Sequence, residues 1–557
     1  MGRRRLRHLW MALPLAALLF IYRALLDGRG LFLRDISRTY WPLKRFIAQA
    51  FESGVLPQWW PYDALGMPMV AATLASLFHP TTALFALLPL KLAFAIYVLS
   101  GAVAGLWGAQ VLGRRLGLGE VSAALAAGVY SLCGWMVSIG EQPFTLLAAG
   151  ALPWVWWASL RARRAWRAMP YLALAFGLLL LAGDPFQGYL ATFSALALAA
   201  TAQSKRALAL LRCASGLLVG AGVAAVQWLP VALLLPHLKR GDTGSGTPAN
   251  IWSLTPLQLR AFVDSDAVIH LNSYFPSLYL GVPVIALALF PLWSRRRPWM
   301  LYGVLLFSLW LALGPAGGLW QLLSAAVPGW SGLRYPLKAL LPAMLAAALL
   351  AGMGLRYLSR RGPVRHWRWA APAILALVCG DLAWKHARLH PPTPDGFFQT
   401  PSLAQTLMQN GTGLTGAAYY FDGTTPRGSW GEVAAFETRS QHMMVPLRGA
   451  LHGLPIFNSY LPGDSGRLAQ TLREGRPSLA ALAVFGVRDV ITPLSRFPDR
   501  ARVHATAVDP EDGWALSRVP GARPRAYLTT QARVFPRQAV AETVRMGQLA
   551  PGTDILP

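Results

Sequence analysis

Apolar stretches long enough to cross the roughly 30 Å hydrocarbon layer of a bilayer recur at about 9–26, 82–109, 120–139, 143–160, 169–183, 186–202, 208–235, 278–293, 298–314, 336–357 and 369–387. Such a repeat leaves few options, because lipid offers no hydrogen bonds and the backbone must satisfy itself within helices. The pattern predicts a polytopic all-α membrane protein of about eleven transmembrane helices. Some stretches are short or carry proline, so one pair is open to a re-entrant reading, and ten to twelve spans is the range. The chain is 54% apolar and 13% charged, against about 25% charged in soluble proteins. Disorder, collagen and a small disulfide scaffold are excluded. The first stretch follows the basic run MGRRRLRH, in the charge order of a signal peptide, but lacks a convincing small-residue cleavage site and reads as a retained first helix.

The net charge of +27 invites a nucleic-acid reading, which its distribution removes. Basic clusters at the N-terminus and at 113–115, 161–167, 204–206, 294–297 and 359–368 each follow an even number of spans. They share one face, which the positive-inside rule makes cytoplasmic. Nine acids, among them Asp27, Asp35, Asp63, Glu141, Asp184, Asp264 and Asp266, fall on the other face. The basic excess is thus a topology device. Cys133, Cys213 and Cys379 lie far apart in apolar segments and read as core residues.

The expected domains are a bundle over 1–388, including a long first outer loop at 27–81, and an extracytoplasmic soluble domain over 389–557. The latter holds 16 Arg and 13 Asp or Glu, with strand-like runs at 487–492, 514–519 and 525–530 that suggest an α/β or mixed fold. Long loops on one face of a bundle commonly carry binding and catalysis.

In the first outer loop, Ile36, Tyr40, Leu43, Phe46, Ile47 and Phe51 recur at helical spacing, opposite Arg38, Lys44 and Arg45. The pattern predicts an amphipathic helix in the membrane interface, with Asp35 at its start. Asp35 suits an N-cap, and equally a carboxylate that takes a proton or holds a divalent cation. Asp63 stands between prolines and His79 precedes Pro80, so each either closes a turn or meets a substrate. Trp59, Trp60 and Tyr62 suit an interfacial belt or a sugar-stacking surface. Asp184 and Glu141 occupy very short outer turns, where helix capping and convergence on one cavity both remain open. Arg334 and Lys338 are four apart at the start of the tenth span and read as one helical face, an interface anchor or a phosphate contact. Asp264, Asp266 and His270 have proximity suited to a metal or to a closed turn, and Asn272 and Tyr274 either read acceptor hydroxyls or decorate the loop. No GxxxxGK[ST] sequence is present, so an ATP-dependent mechanism has no support.

The segments RDISRTYWPLKRFIAQAFESGVLPQWWPYDALGMPM, AGDPFQG, VQWLPVALLLP, LRYPLK, GDL at 380–382, AVFGVRDVI and PRAYL, in this order, resemble the bacterial YfhO-like membrane proteins, within the C-type (GT-C) integral-membrane glycosyltransferases. The resemblance implies a GT-C-like bundle that moves a sugar from a polyprenyl-phosphate donor to a glycan, teichoic acid or lipid outside the bacterial cytoplasmic membrane. It implies Asp35 as catalytic base or metal-binding acid and Arg334 as the basic residue of an R-x-P motif near the phosphate. Asp184 stands where relatives often show a histidine. The chain stops about 30 residues after PRAYL, short of the β-rich segment and final membrane helix of longer relatives, which implies an outward C-terminus.

The combined expectation is an inverting transfer in which Asp35 deprotonates the acceptor, Arg334 and Lys338 hold the donor phosphate, and Asp184 or Glu141 orients substrate or a divalent ion (Mg or Mn), with Asp63, His79 and Tyr40 as further substrate contacts. The rival reading is a lipid-glycan exporter or flippase without transferase activity; a third is an envelope scaffold.

Overall fold

The computed structural model describes residues 9–62, 66–234, 251–267, 275–295, 297–361, 369–412, 417–419, 430–444, 447–456, 482–483, 486–494, 505–522, 532–534 and 554–556. Asp63, His270, Asn272, Tyr274 and the run at 525–530 lie outside them. Two compact units divide the chain: Met1–Leu31, Thr73–Leu229 and Gly246–Thr393 form the first, and Phe32–Ala72, Pro230–Ser245 and Pro394–Pro557 the second.

The first unit is helical, and helices occupy the expected apolar stretches. Among the described residues, Leu90–Arg115, Pro143–Ala162, Arg206–Val223 and Pro336–Arg360 are long and apolar enough to cross a membrane. The pair Glu120–Leu132 and Gly134–Glu141, bent by 43°, makes a fifth if it is one broken span. The bend has a local cause, because Cys133 between the two is extended (φ −63°, ψ 154°) and Gly134 N–H donates to Tyr279 O at 2.8 Å. Leu9–Ile21, Trp166–Leu181, Ala225–Leu234, Val282–Trp293 and Trp299–Ala312 are shorter apolar helices. The 26-residue helix Leu90–Arg115 is about 39 Å long at the usual rise. It ends on Arg114 and Arg115, which suit the negative end of its dipole, and Arg114 pairs with Glu120 of the next helix at 2.9 Å.

Small residues let these helices touch backbone to backbone, as packing in lipid requires. A Cβ at Gly150 would stand 2.2 Å from Gly101 O, so Leu90–Arg115 and Pro143–Ala162 are closed around that pair. Gly183 (φ +102°) is held as tightly, since a Cβ there would lie 2.1 Å from Thr73 O.

In the second unit a four-stranded sheet runs in the order Ala417–Tyr419, Asp489–Pro493, Trp514–Arg518, Ala507–Asp509; its first pair is parallel and the others antiparallel. The runs at 487–492 and 514–519 thus become neighbours, with Ile491 opposite Leu516. Those two side chains and Trp514 pack with Leu403, Leu407 and Met444 into one core.

The first-loop segment belongs to this unit rather than to the helical one. It opens as a π-turn, Ile36–Tyr40, and continues as the helix Trp41–Glu52. Pro42 explains the wide turn, because it has no N–H to offer the carbonyl four residues back. The expected face of solvated charge is not what forms. Lys44 is fully buried, and burial pushes its ammonium pKa well below the ordinary range. Phe32 packs on Phe397 and Trp41 on Phe398, with ring centroids 5.0 and 5.1 Å apart. The helix is therefore embedded in the second unit's core and does not present Lys44 to water.

Gly150→Ala is expected to cost about 1–3 kcal/mol, because its new Cβ meets backbone, whereas Gly222→Ala has open space within 4 Å and should change little. Thermal unfolding of the two purified variants in detergent checks the contrast.

Candidate active site

Asp184 in the first unit and Glu437 in the second each stand in a group of buried, paired side chains. In the first, Gly183 turns the chain so that Asp184 begins the helix Pro185–Ala200 and caps it, its Oδ1 accepting from Phe186 N–H at 3.1 Å. Its Oδ2 receives Lys338 Nζ and Thr145 Oγ1, each at 2.6 Å. Lys338 Nζ also lies 5.0 Å from the centroid of Phe144, a distance suited to a cation–π contact. The pair is only 1% and 8% exposed, so it is dry enough for charge-assisted bonds to be strong and for either ion alone to be costly.

The segment that delivers Lys338 differs from the expected helical face. Tyr335 is left-handed (φ 66°, ψ 70°) and Pro336–Ala339 is a 3-10 turn, so Arg334 precedes the turn and Lys338 lies within it. Pro336 is the reason, because a residue before proline is biased away from right-handed helix. Trp252, also left-handed (φ 57°), stacks on Tyr335 at 4.5 Å. Trp135 Nε1 donates to Leu337 O at 2.9 Å and Gln187 Nε2 to Lys338 O at 3.4 Å, which pins the turn from two other helices. Arg334 itself is half-buried.

Glu141 is buried, 4% exposed, in the 3-10 turn Ile139–Glu141. The adjoining Gly140 is closed in by Tyr22 Oη and His390 Nε2, each 2.6 Å from where a Cβ would stand. Tyr22 and His390 stack at 4.7 Å, and His390 Nε2 lies 2.9 Å from Val137 O. His79 caps its own 3-10 turn, accepting from Thr81 N–H at 3.3 Å. Asp264 Oδ1 accepts from Asp266 N–H at 3.0 Å, and Asp266 pairs with Arg388 at 2.7 Å, which holds its carboxyl below the usual range. Those two acids close a turn.

Asp35 and Tyr40 belong to the second unit. Asp35 makes no capping hydrogen bond to the turn it opens, so the N-cap reading does not hold, and Tyr40 is fully buried. Two residues on, Ser37 and Arg38 meet Glu437 and Arg448. Arg38 Nε donates to Glu437 Oε2 at 3.0 Å and its Nη2 to Oε1; Arg448 Nη2 donates to Glu437 Oε2 at 2.6 Å and to Ser37 Oγ at 2.7 Å.

Among the described residues, no group of three or more His, Cys, Asp or Glu stands close enough to hold a metal. At Asp184 the donor set does not fit one, because an ammonium already neutralises the carboxylate. Thr145, Glu437 and Arg448 escaped sequence reading. Only Thr145, four residues after Glu141, stood near a flagged position.

One further feature lies along the helix that Asp184 caps. An apolar groove of about 450 Å³ is walled by Pro185, Gly188, Thr192 and Leu196 of the helix that Asp184 caps, with Leu180 and Trp228 opposite. Polar atoms at its edge are used internally: Tyr189 Oη donates to Pro328 O at 2.6 Å and Trp228 Nε1 to Leu180 O at 2.9 Å.

The fold is similar to that of ArnT from Cupriavidus metallidurans in the apo state, at TM-score 0.53, 14% identity and coverage of 92% of this chain and 98% of that one. ArnT bound to undecaprenyl phosphate gives TM-score 0.49 and 15% identity over 93% and 99%. The Archaeoglobus fulgidus oligosaccharyltransferase in complex with Zn and sulfate gives TM-score 0.41 and 14% identity over 87% and 68%. At 14% identity the apo ArnT likeness speaks for the fold alone. Neither a family model nor a curated protein matches the sequence.

Lys338→Met strands the buried Asp184 carboxylate and is expected to cost about 3–5 kcal/mol. The double variant Asp184→Asn/Lys338→Met should recover much of the loss, and thermal unfolding of both in detergent measures it.

Proposed function

We propose that this chain is a bacterial inner-membrane glycosyltransferase, YfhO-like, that moves a sugar from a polyprenyl-phosphate donor to a cell-envelope glycan or lipid on the outer face. The observation that carries this reading is the helix Pro185–Ala200. Its first turn is fixed by a buried carboxylate–ammonium pair, and its flank walls an apolar groove. The wall residues Pro185 to Leu196 follow one face over about 16 Å of helix. An amphiphile with a long apolar chain and a charged head suits such a surface. ArnT, whose apo structure shares the fold, is also known bound to undecaprenyl phosphate.

In the reaction, Asp35 takes the proton of the acceptor hydroxyl while its oxygen attacks the anomeric carbon. The bond from that carbon to the phosphate oxygen breaks, the electron pair leaves with polyprenyl phosphate, and the new glycosidic bond has inverted configuration. Arg334 answers the charge that grows on the departing phosphate. Lys338 takes a different part from the one expected of it: paired with Asp184, it shapes the turn that presents Arg334. Glu141, His79, Asp63 and Tyr40 are assigned to substrate contacts. Asp35 would hold a divalent ion, Mg or Mn, if the reaction used one, but none is required, since Arg334 already opposes the leaving phosphate.

Two measurements test the proposal. In proteoliposomes supplied with a polyprenyl-phosphate sugar identified by lipid profiling of deletion cells, Asp35→Asn should abolish transfer while the protein folds and binds donor; full activity rejects the base assignment, and export of the lipid without transfer supports the flippase instead. By native mass spectrometry, Arg334→Ala should weaken undecaprenyl phosphate about tenfold, a loss of about 1.4 kcal/mol, and leave undecaprenol unchanged.

A further inference from the structure

We infer that Glu437 is a positioning residue for Asp35, acting through the Arg38–Glu437–Arg448 triad; the inference rests on the transferase reading above. Asp35 opens the π-turn Ile36–Tyr40, and the next residues but one and two are both tied to the triad. Arg38 reaches Glu437 across 399 residues of sequence and Ser37 reaches Arg448 across 411. Glu437, Arg448 and Ser37 are fully buried, and Arg38 is 15% exposed at its side chain. Arg448 Nη1 also donates to Glu437 O at 2.9 Å, so the carboxylate's own backbone is held. Phe397 and Phe436 cover the two guanidinium groups at 5.7 and 5.2 Å.

Stability alone is a poor reason for such an arrangement. A buried Arg–Glu–Arg group pays desolvation on every ion, and well-packed apolar side chains of similar volume commonly do as well or better. Directional bonding is what the triad adds. The Arg38 fork takes both carboxylate oxygens of Glu437 while Arg448 holds one of them and its backbone carbonyl, and a π-turn, which lacks the tight ladder of an α-helix, is the kind of backbone that needs fixing. A base must stand within hydrogen-bond reach of the proton it removes, and a 1 Å displacement can cost about 10²-fold in rate. The triad therefore sets where the Asp35 carboxylate stands, without touching substrate.

Glu437→Gln keeps the shape and removes the charge. Amides 36–41 are expected to exchange hydrogen at least tenfold faster in this variant, with the helix Pro143–Ala162 unchanged. Transfer should lose about 10²-fold in kcat, with KM for the donor unaltered. Arg38→Lys, which keeps the charge but loses the fork, should show the same pattern more weakly and replaces Glu437→Gln if that variant does not fold. Unchanged exchange in the folded variant overturns the inference, as does faster exchange with full kcat. A fully active Asp35→Asn enzyme, by contrast, overturns the base assignment on which the inference rests, whatever the exchange result.

Discussion

The ion pair between Asp184 and Lys338 sets the terms for the first unit. Each ion costs several kcal/mol to bring out of water, so the pair persists only where its geometry is complete. Completing it draws together three segments that begin with proline near their first turn: Pro143–Ala162 supplies Thr145, Pro185–Ala200 supplies Asp184, and the turn Pro336–Ala339 supplies Lys338. Proline suits a first turn because its missing N–H would be unpaired there anyway. Gly183 then admits Thr73 O to the same corner. The result is a rigid corner from which an apolar groove leads away along one helix.

The second unit solves a similar problem with a different group. There the buried carboxylate is Glu437, its partners are two arginines, and what is immobilised is the entrance to the first-loop helix. A lysine serves Asp184 because a compact ammonium needs one short bond and fits over the Phe144 ring. Arginine serves Glu437 because a planar fork can hold two acceptors at once, as Arg448 holds Glu437 and Ser37.

Much of the architecture is legible in the sequence because hydropathy is a local signal. Each apolar stretch became helix, and the β-branched run at 487–492 and the apolar run at 514–519 became paired strands. Partnership is not local. Asp184 and Lys338 are 154 residues apart, and nothing near either one names the other. Arg334 and Lys338 look like helix neighbours only until Pro336 is weighed against the apolar run that follows. Lys44 sits opposite an apolar stripe, which reads as solvated, but it is fully buried. Glu437 lies in a polar segment that gives sequence reading no reason to single it out.

Backbone strain links the residues assigned to chemistry. Arg34 (φ 48°), immediately before Asp35, and Tyr335 (φ 66°), immediately after Arg334, are both left-handed without being glycine. Such a conformation costs about 1–2 kcal/mol per residue and lasts only where its surroundings impose it. Lys205 (φ 51°), Ser76 (φ 47°) and Met444 (φ 53°) adopt it too, so strain by itself marks no site. Arg34 and Tyr335 are held in it by their neighbours: Arg34 O lies 3.4 Å from Ser37 Oγ, which Arg448 grips, and Tyr335 is stacked against Trp252. In both places the chain accepts an unfavourable backbone angle next to an ionisable side chain and spends buried contacts to keep it there. That is the arrangement expected where the direction of a charge matters more than the comfort of the backbone that carries it.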